Sequence, residues 1–147
     1  MKIQLLFLIF TLMLVGCRKT EPKNNTEIYR KSAREYSPLS FIGELKKKNL
    51  INVSTIESDF PKDWIKSQHL DSLIALLESK EKCNCYLNPL SSYVPQDSAE
   101  VGGFAIEFIK AFKENKKVDL GLYSCPKVNQ KEVTEIKSWW KKYNKTK

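Results

Sequence analysis

The strongest structural signal in the sequence is DSAEVGGFAIEFIKAF, from residue 97 to residue 112. Its opening Asp-Ser-Ala-Glu matches the Asp-x-x-Glu form of a capping box, in which two side chains satisfy free amides at the start of a helix. The apolar residues that follow recur on one helical face; they are Val101, Phe104, Ala105, Phe108, Ile109 and Phe112. The pattern therefore predicts a helix over residues 98–114.

Two adjacent glycines, Gly102 and Gly103, lie near the start of this helix. A helix start of this kind can cradle an anion, but no Lys-Ser or Lys-Thr pair follows and no strand is expected before it. Glycine also lets a neighbouring helix or connector approach the backbone closely. We favour this packing role over a phosphate-binding role.

Weaker helix signals flank the central one on both sides. Ser37-Pro38 is a cap followed by proline at the first helical position, and it predicts a helix over 38–48 that ends in three lysines. The apolar spacing of residues 70–77 predicts a helix to about residue 78. Asn129 is expected to open the last helix as its cap.

The fold class follows from these helices and from what lies between them. Residues 83–94 contain β-forming side chains together with Pro89, which is typical of an irregular connector or a short strand. No segment sustains the alternating pattern of a longer strand. The 147 residues suit one domain with a modest core. We therefore expect an all-α fold, a small bundle or helical-hairpin array of four to five helices with an irregular connector that contains cysteines.

The net charge of +8 is distributed unevenly along the chain. Residues 18–48 hold nine basic and four acidic side chains, and residues 137–147 hold five basic and none acidic. The central residues 49–136 hold ten basic and thirteen acidic side chains, a balance of −3. Basic ends on an acidic body disfavour nucleic acid as a partner. They favour an anionic membrane surface near both termini, with solvated tails as the alternative.

The first 16 residues read as a secretion signal. Lys2 supplies a positive charge, and the apolar run that follows is too short to cross a bilayer core of about 30 Å as a helix. The run ends in Leu14-Val15-Gly16-Cys17, which resembles the lipobox of bacterial lipoproteins. In that family the cysteine sulfur receives a diacylglycerol, a peptidase cuts before the cysteine, and the new amino group is acylated.

The lipobox resemblance implies three regions: a signal peptide over residues 1–16, a lipidated Cys17 with a tether to residue 35, and a helical domain over residues 36–147. Arg18 follows the cysteine, where an aspartate would resemble an inner-membrane retention signal. An acidic cluster resembling a surface-export signal is also missing from the tether. We therefore expect a lipid-anchored protein of the cell envelope, with the periplasmic face of the outer membrane favoured in a cell with two membranes.

A second resemblance extends over about half of the chain. Its elements are Asp63-Trp64-Ile65, Ser91-Ser92-Tyr93, Val101-Gly102-Gly103 and Ile136-Lys137-Ser138-Trp139-Trp140. Together they are similar to stretches of small bacterial envelope lipoproteins, whose helices look like helical-repeat hairpins. This resemblance bears on location and fold and implies no activity.

Once Cys17 carries lipid, Cys83, Cys85 and Cys125 remain, an odd number in an oxidising compartment. The Cys-Asn-Cys spacing is one residue shorter than the redox motif, and a bridge across one residue is strained. A zinc site needs four ligands, and only these three thiols and the single histidine, His69, are available. A structural disulfide is therefore favoured over a zinc site. We expect Cys125 to bridge to Cys83 or to Cys85, which leaves one thiol over, and we expect no metal and no cofactor.

Catalysis is disfavoured because the sequence does not place a nucleophile and an orienting carboxylate together with His69. The nearest approach to a carboxylate pair is Glu100 and Glu107, seven residues apart on the expected helix. That spacing separates them by about 10 Å along the axis, too far for a retaining glycosidase. We therefore assign no catalytic residue.

Near the C-terminal end of the sequence, aromatic and basic residues are adjacent: Trp139, Trp140, Lys141 and Lys142. Adjacent positions on a helix diverge by about 100°, so one tryptophan should enter the core while the other lies at its edge. An exposed tryptophan beside lysines suits lipid headgroups or a protein partner. We expect this group to contact the membrane or a partner.

These observations favour a membrane-anchored, non-catalytic protein-binding module. One specific form is an immunity protein that neutralises a periplasm-directed toxin. The alternative is a structural or assembly lipoprotein of an envelope complex, and a small hydrolase fits less well. The expected partners are membrane lipid, through acylated Cys17, and a protein, with no nucleic acid.

The lipobox resemblance predicts that Cys17 carries the acyl chains. Metabolic labelling of producing cells with a fatty-acid analogue should mark the wild-type protein. Cys17→Ser removes the sulfur that accepts the lipid, so the label should be lost from that variant. Labelling that survives the substitution would contradict the assignment.

Overall fold

The structure, a computed structural model, describes residues 31–93 and 96–145. Within these residues the chain forms four α-helices and five short strands, in the order α1 (Pro38–Leu45), β1 (Val53–Thr55), α2 (Leu70–Leu76), β2 (Lys82–Cys83), β3 (Cys85–Leu87), β4 (Ala99–Glu100), α3 (Val101–Lys113), β5 (Tyr123–Ser124) and α4 (Gln130–Tyr143). Two short 3-10 helices, Ala33–Glu35 and Ser67–His69, precede α1 and α2. The expected signal peptide and lipobox lie outside the described residues.

The strands form two small sheets, so the expectation of an all-α fold is wrong and the fold is mixed. The first sheet has the order β1–β3–β5, with β1 parallel to β3 (Val53 opposite Cys85) and β5 antiparallel to it. In the second sheet β2 and β4 pair antiparallel, with Cys83 opposite Ala99. Strands of two or three residues are too short to show an alternating pattern. They form because partners distant in the sequence supply the hydrogen bonds.

The four helices lie where the apolar spacing places them, although their ends differ. The Ser37 hydroxyl accepts a hydrogen bond from the Ser40 amide at 3.2 Å, which confirms the expected cap of α1. Asn129 caps α4 by accepting from the amides of Lys131 and Glu132 at 3.0 and 3.4 Å. Helices α1 and α2 end two or three residues earlier than the sequence predicts.

The start of α3 differs from the predicted capping box. Because residues 99–100 pair with β2, the helix begins at Val101. The carboxylate of Asp97 accepts from the amide of the next residue, Ser98, at 2.7 Å. The Glu100 carboxylate accepts from the amide of Val128 at 2.8 Å, which ties the chain before α4 to the start of α3. Ala99 and Glu100 therefore serve tertiary pairing, and the Asp97 carboxylate makes a local turn contact.

Aromatic side chains form the centre of the core. The fully buried ring of Phe41, on α1, lies 5.5 Å from that of Phe60 and 5.6 Å from that of Trp64. It also lies 5.8 Å from the ring of Phe108, on α3, so one side chain connects both helices to the loop before α2. The Trp64 indole N–H donates to the Tyr36 carbonyl at 2.6 Å, which satisfies its polar atom inside the core.

Residues 31–35, which the sequence assigns to the tether, pack on the domain. Ala33 is fully buried, and its amide donates to the Glu57 carbonyl at 3.0 Å. The Ser32 hydroxyl donates to the Asp59 carboxylate at 2.6 Å. Across residues 31–93 and 96–145, no helix has the length and apolar character needed to cross a membrane.

The two glycines of α3 allow two other segments to approach the helix closely. A Cβ atom on Gly102 would lie 2.5 Å from the Leu77 carbonyl oxygen, and one on Gly103 would lie 2.5 Å from the Pro126 carbonyl oxygen. Both neighbours are backbone atoms, which cannot rotate aside. This confirms the packing role expected from the sequence.

Gly103→Ala should destabilise the fold, because the added methyl group requires the chain at Pro126 to move. We expect the free energy of unfolding to fall by about 1–3 kcal/mol in denaturant titrations. Gly43→Ala is the matched control, since its added Cβ has no neighbour within 4 Å. That change should stabilise α1 by about 0.5–1 kcal/mol. A Gly103→Ala protein as stable as the wild type would contradict the packing role.

Candidate functional site

The structure pairs Cys85 with Cys125, with 4.5 Å between their Cα atoms. This confirms that Cys125 bridges to one of the two candidates and selects Cys85. Cys83 is the remaining cysteine among the described residues, and it is buried as a free thiol. Burial, followed by the nearby Glu81 carboxylate, raises the pKa of Cys83 to about 12. The thiol is therefore neutral and unreactive at physiological pH.

The aromatic residues near the chain end form a cluster on α4. The Tyr143 ring lies 5.1 Å from that of Trp139 and stacks on that of Trp140 at 5.5 Å. Both tryptophans are half-buried, so the expectation that one enters the core and the other lies at its edge is wrong. Contact with Tyr143 holds both rings at the margin of the core. Lys141 and Lys142 are exposed beside them.

The residues weighed for catalysis each make a structural contact. His69 accepts the Lys66 amide proton on Nδ1 at 3.1 Å, and burial, with Lys66, holds its pKa below the usual value. Glu100 binds the amide before α4, as described above. Glu107 pairs with Lys110 at 3.4 Å. Within the described ranges, no three His, Cys, Asp or Glu side chains group to hold a metal ion.

An exposed apolar surface lies at one end of the first sheet. We define it by Leu90, Tyr93 and Leu122, whose exposed fractions are 83%, 56% and 57%. The first two follow β3 and the third precedes β5, so the pairing of these antiparallel strands places the two segments side by side at this end of the sheet. Large apolar side chains grouped on a surface mark sites of interaction.

Asn88 builds the turn that presents Leu90. Its side-chain oxygen accepts from the Leu90 amide at 2.9 Å, and its backbone oxygen accepts from Ser91 at 2.9 Å. Its own amide donates to the Leu122 carbonyl at 2.9 Å, which fixes the second strand beside the first. Asn88 is nearly buried, so the turn is held from beneath and the leucines point outward.

Tyr93 is held against the neighbouring strand by a ring contact. Its ring lies 4.9 Å from that of Tyr123, the residue after Leu122. On the other side Gly121 turns the chain with a φ of +63°, and its amide donates to the Asp119 carboxylate at 2.8 Å. The surface therefore has ordered backbone under both of its segments.

The chain segments that carry the residues of this surface are acidic, although Lys110, Lys116 and Lys117 line a pocket together with Asp119. Residues 83–109 and 118–126 contain no lysine or arginine, whereas they contain Asp97, Glu100, Glu107 and Asp119. Burial raises the pKa of Tyr123, and Tyr93 and Asp97 raise it further. Lys127 reaches Asp97 at 3.2 Å and offsets part of this charge at one edge.

The sequence pattern did not identify this surface. Leu90, Tyr93 and Leu122 lie in segments without periodicity, and an apolar residue in such a segment can be buried or exposed. The deciding information is the pairing of β3 with β5, which joins residues more than 30 positions apart. The absence of basic residues over 83–109 is the one signal that sequence reading could have used.

Comparison of the chain with known proteins finds no match to a family model, to a curated protein or to a solved structure.

Non-reducing peptide mapping should recover a linked pair of peptides that carry Cys85 and Cys125. Replacing both with serine opens a loop that spans 40 residues and should lower the free energy of unfolding by about 4 kcal/mol in the chain-entropy model. Cys83 should react with iodoacetamide only after unfolding, since it is buried. A linked Cys83–Cys125 peptide, or rapid native alkylation of Cys83, would contradict the structure.

Proposed function

We propose that the protein is a lipid-anchored module of the cell envelope that binds another protein through the apolar surface of Leu90, Tyr93 and Leu122. The observation that carries this proposal is the exposure of these side chains on ordered backbone. Burying them in a complex removes apolar area from water, which is the main favourable term in association.

The electrostatic setting supports a basic protein partner. Asp119 lies beside the apolar surface, and the two segments that form it contain no positive side chain. Complementary charge speeds encounter and excludes partners of the same sign. An immunity protein that covers the basic surface of a periplasm-directed toxin is one form of this function. A subunit that docks on a basic envelope protein is the alternative.

The membrane side of the proposal is supported by the basic and aromatic side chains near the C-terminal end of the sequence. Residues 137–147 carry five basic and no acidic side chains, and Lys141 and Lys142 lie beside the half-buried tryptophans of α4. Lysines next to tryptophans suit the headgroup region of an anionic bilayer. Lipidation at Cys17 would then hold the domain near the membrane. The aromatic cluster of α4 would supply a second, weaker contact.

A photo-crosslinking amino acid placed at Tyr93 in the full chain should capture one discrete protein in producing cells. The same probe at Ser72, which is exposed on α2, is the control and should capture none. The captured protein is identified by mass spectrometry and its affinity measured in purified form. Leu90→Asp should weaken that affinity by about tenfold or more, because it places a charge among buried apolar contacts.

Leu50→Asp is the matched variant, since Leu50 is fully exposed before β1, at the opposite end of the sheet. It should leave the affinity unchanged. Equal capture from Ser72, or equal loss of affinity with Leu50→Asp, would show that the apolar surface does not select the partner. A captured protein without a basic surface would remove the electrostatic part of the proposal.

A further inference from the structure

A cavity of about 290 Å³ opens between the chain that leaves α1 and the corner between β2 and β3. Its charged lining side chains are Lys46, Lys47, Lys48 and Lys82. No carboxylate occurs among the described residues that line it. The cavity shares no lining residue with the apolar surface of Leu90, Tyr93 and Leu122, so it is a separate feature.

Carboxylates around the cavity balance only part of this charge. Glu44, 5% exposed, is shared by Lys31 and Lys47, each at 2.6 Å. Burial alone would raise the pKa of Glu44, but the hydrogen bonds from the two lysines outweigh it and hold the pKa low. Lys46 pairs with Glu81 at 3.0 Å, on the exposed side. Exposed pairs of this kind are weak and exchange readily for another anion.

The remaining lysines have no such partner. Within residues 31–93 and 96–145, neither Lys48 nor Lys82 forms an ion pair. Glu100 lies opposite Lys82 in the second sheet, but its carboxylate accepts the Val128 amide. Asp97 pairs with Lys127, and its pKa is lowered by the Ser98 amide, by Lys127 and also by the nearby Lys82. In and around the cavity, six lysines therefore face four carboxylates, which leaves a surplus of two positive charges. The lysines are Lys31, Lys46, Lys47, Lys48, Lys82 and Lys127, and the carboxylates are Glu44, Glu81, Asp97 and Glu100.

The backbone under the lysines is fixed. The Asn84 amide donates to the Leu45 carbonyl at 2.8 Å, and its side chain donates to the Lys47 carbonyl at 2.7 Å. The carbonyl oxygens of Leu45 and Lys47, which would repel an anion, are therefore engaged by hydrogen bonds from Asn84. The Asn84 side chain also donates to the Ser54 hydroxyl at 3.0 Å, inside the fold. A site whose backbone is already ordered loses less entropy when a ligand binds.

The chemistry of the lining selects an anion with more than one charge. Cys83 lines the cavity as a neutral thiol, so it adds no opposing negative charge. Lysine ammonium groups bind phosphate as point charges from several directions, without the planar geometry that arginine imposes on a carboxylate. The volume exceeds that of a single inorganic ion, so a substituted phosphate has room.

We propose that this lysine-lined cavity is a binding site for a phosphate monoester group. The group has two possible sources, a soluble phosphorylated compound or the headgroup of a phosphatidic-acid-like lipid. Both present the same dianionic phosphate to the four lysines. The site does not depend on the protein-binding function proposed above.

The test uses the full chain in neutral detergent micelles at pH 7.5 and constant ionic strength, titrated with glycerol 3-phosphate and followed by amide NMR. Saturable shifts are expected at residues 46–49, 52 and 82–84, and none at residues 90–93. Lys48→Gln with Lys82→Gln should raise the dissociation constant by about tenfold. Lys117→Gln with Lys131→Gln, two exposed lysines elsewhere, is the control and should change it less than about twofold.

Micelles doped with phosphatidic acid form the second arm, with phosphatidylcholine as the reference. Shifts of the same amides with phosphatidic acid alone assign a lipid headgroup, and shifts with glycerol 3-phosphate alone assign a soluble compound; either supports the site. Shifts that never saturate, or that spread over lysines throughout the surface, overturn it. Equal weakening by the control pair also overturns it. All four substitutions are at exposed positions, so the amide spectrum itself reports that each variant is folded.

Discussion

Three backbone segments meet at the start of α3, and their close approach organises the fold. The amide of Gly102 donates to the Ser79 carbonyl at 2.9 Å, and the amide of Val101 donates to the Glu81 carbonyl at 2.9 Å. From the other side, the Glu100 amide donates to the Pro126 carbonyl at 2.9 Å. These bonds place the end of α2, the second sheet and the chain leading to α4 around one helix start. A side chain at either glycine would separate them.

This constraint also explains which part of the fold could be predicted from the sequence. The helices were predictable because each has an apolar face of its own, and Ser37 and Asn129 cap them through neighbours in sequence. The sheets were not, because each strand has two or three residues and its partner lies elsewhere in the chain. The segment from Asp97 to Glu100 shows the difference, since its residues suit a cap locally and pair with β2 instead.

The candidate site was predictable only in part. The odd cysteine count, with the oxidising compartment that the lipobox resemblance implies, predicts a bridge from Cys125, but nothing in the sequence separates Cys83 from Cys85. The structure separates them because the chain turns at Asn84, so that Cys83 lies in the second sheet and Cys85 in the first. The apolar surface and the lysine cavity were not predictable, because each is assembled from segments that only the sheets bring together.

The bridge between Cys85 and Cys125 joins the two segments that form the apolar surface, since β3 leads to Leu90 and β5 follows Leu122. Without it, the hydrogen bond from Asn88 to Leu122 and the ring contact of Tyr93 with Tyr123 would hold the segments together. The oxidation state of the compartment therefore decides how firmly the surface is assembled. A chain that has not yet met an oxidising environment would present a looser surface. If the protein is exported and binds a partner through this surface, as proposed, recognition would begin only in molecules whose bridge has formed.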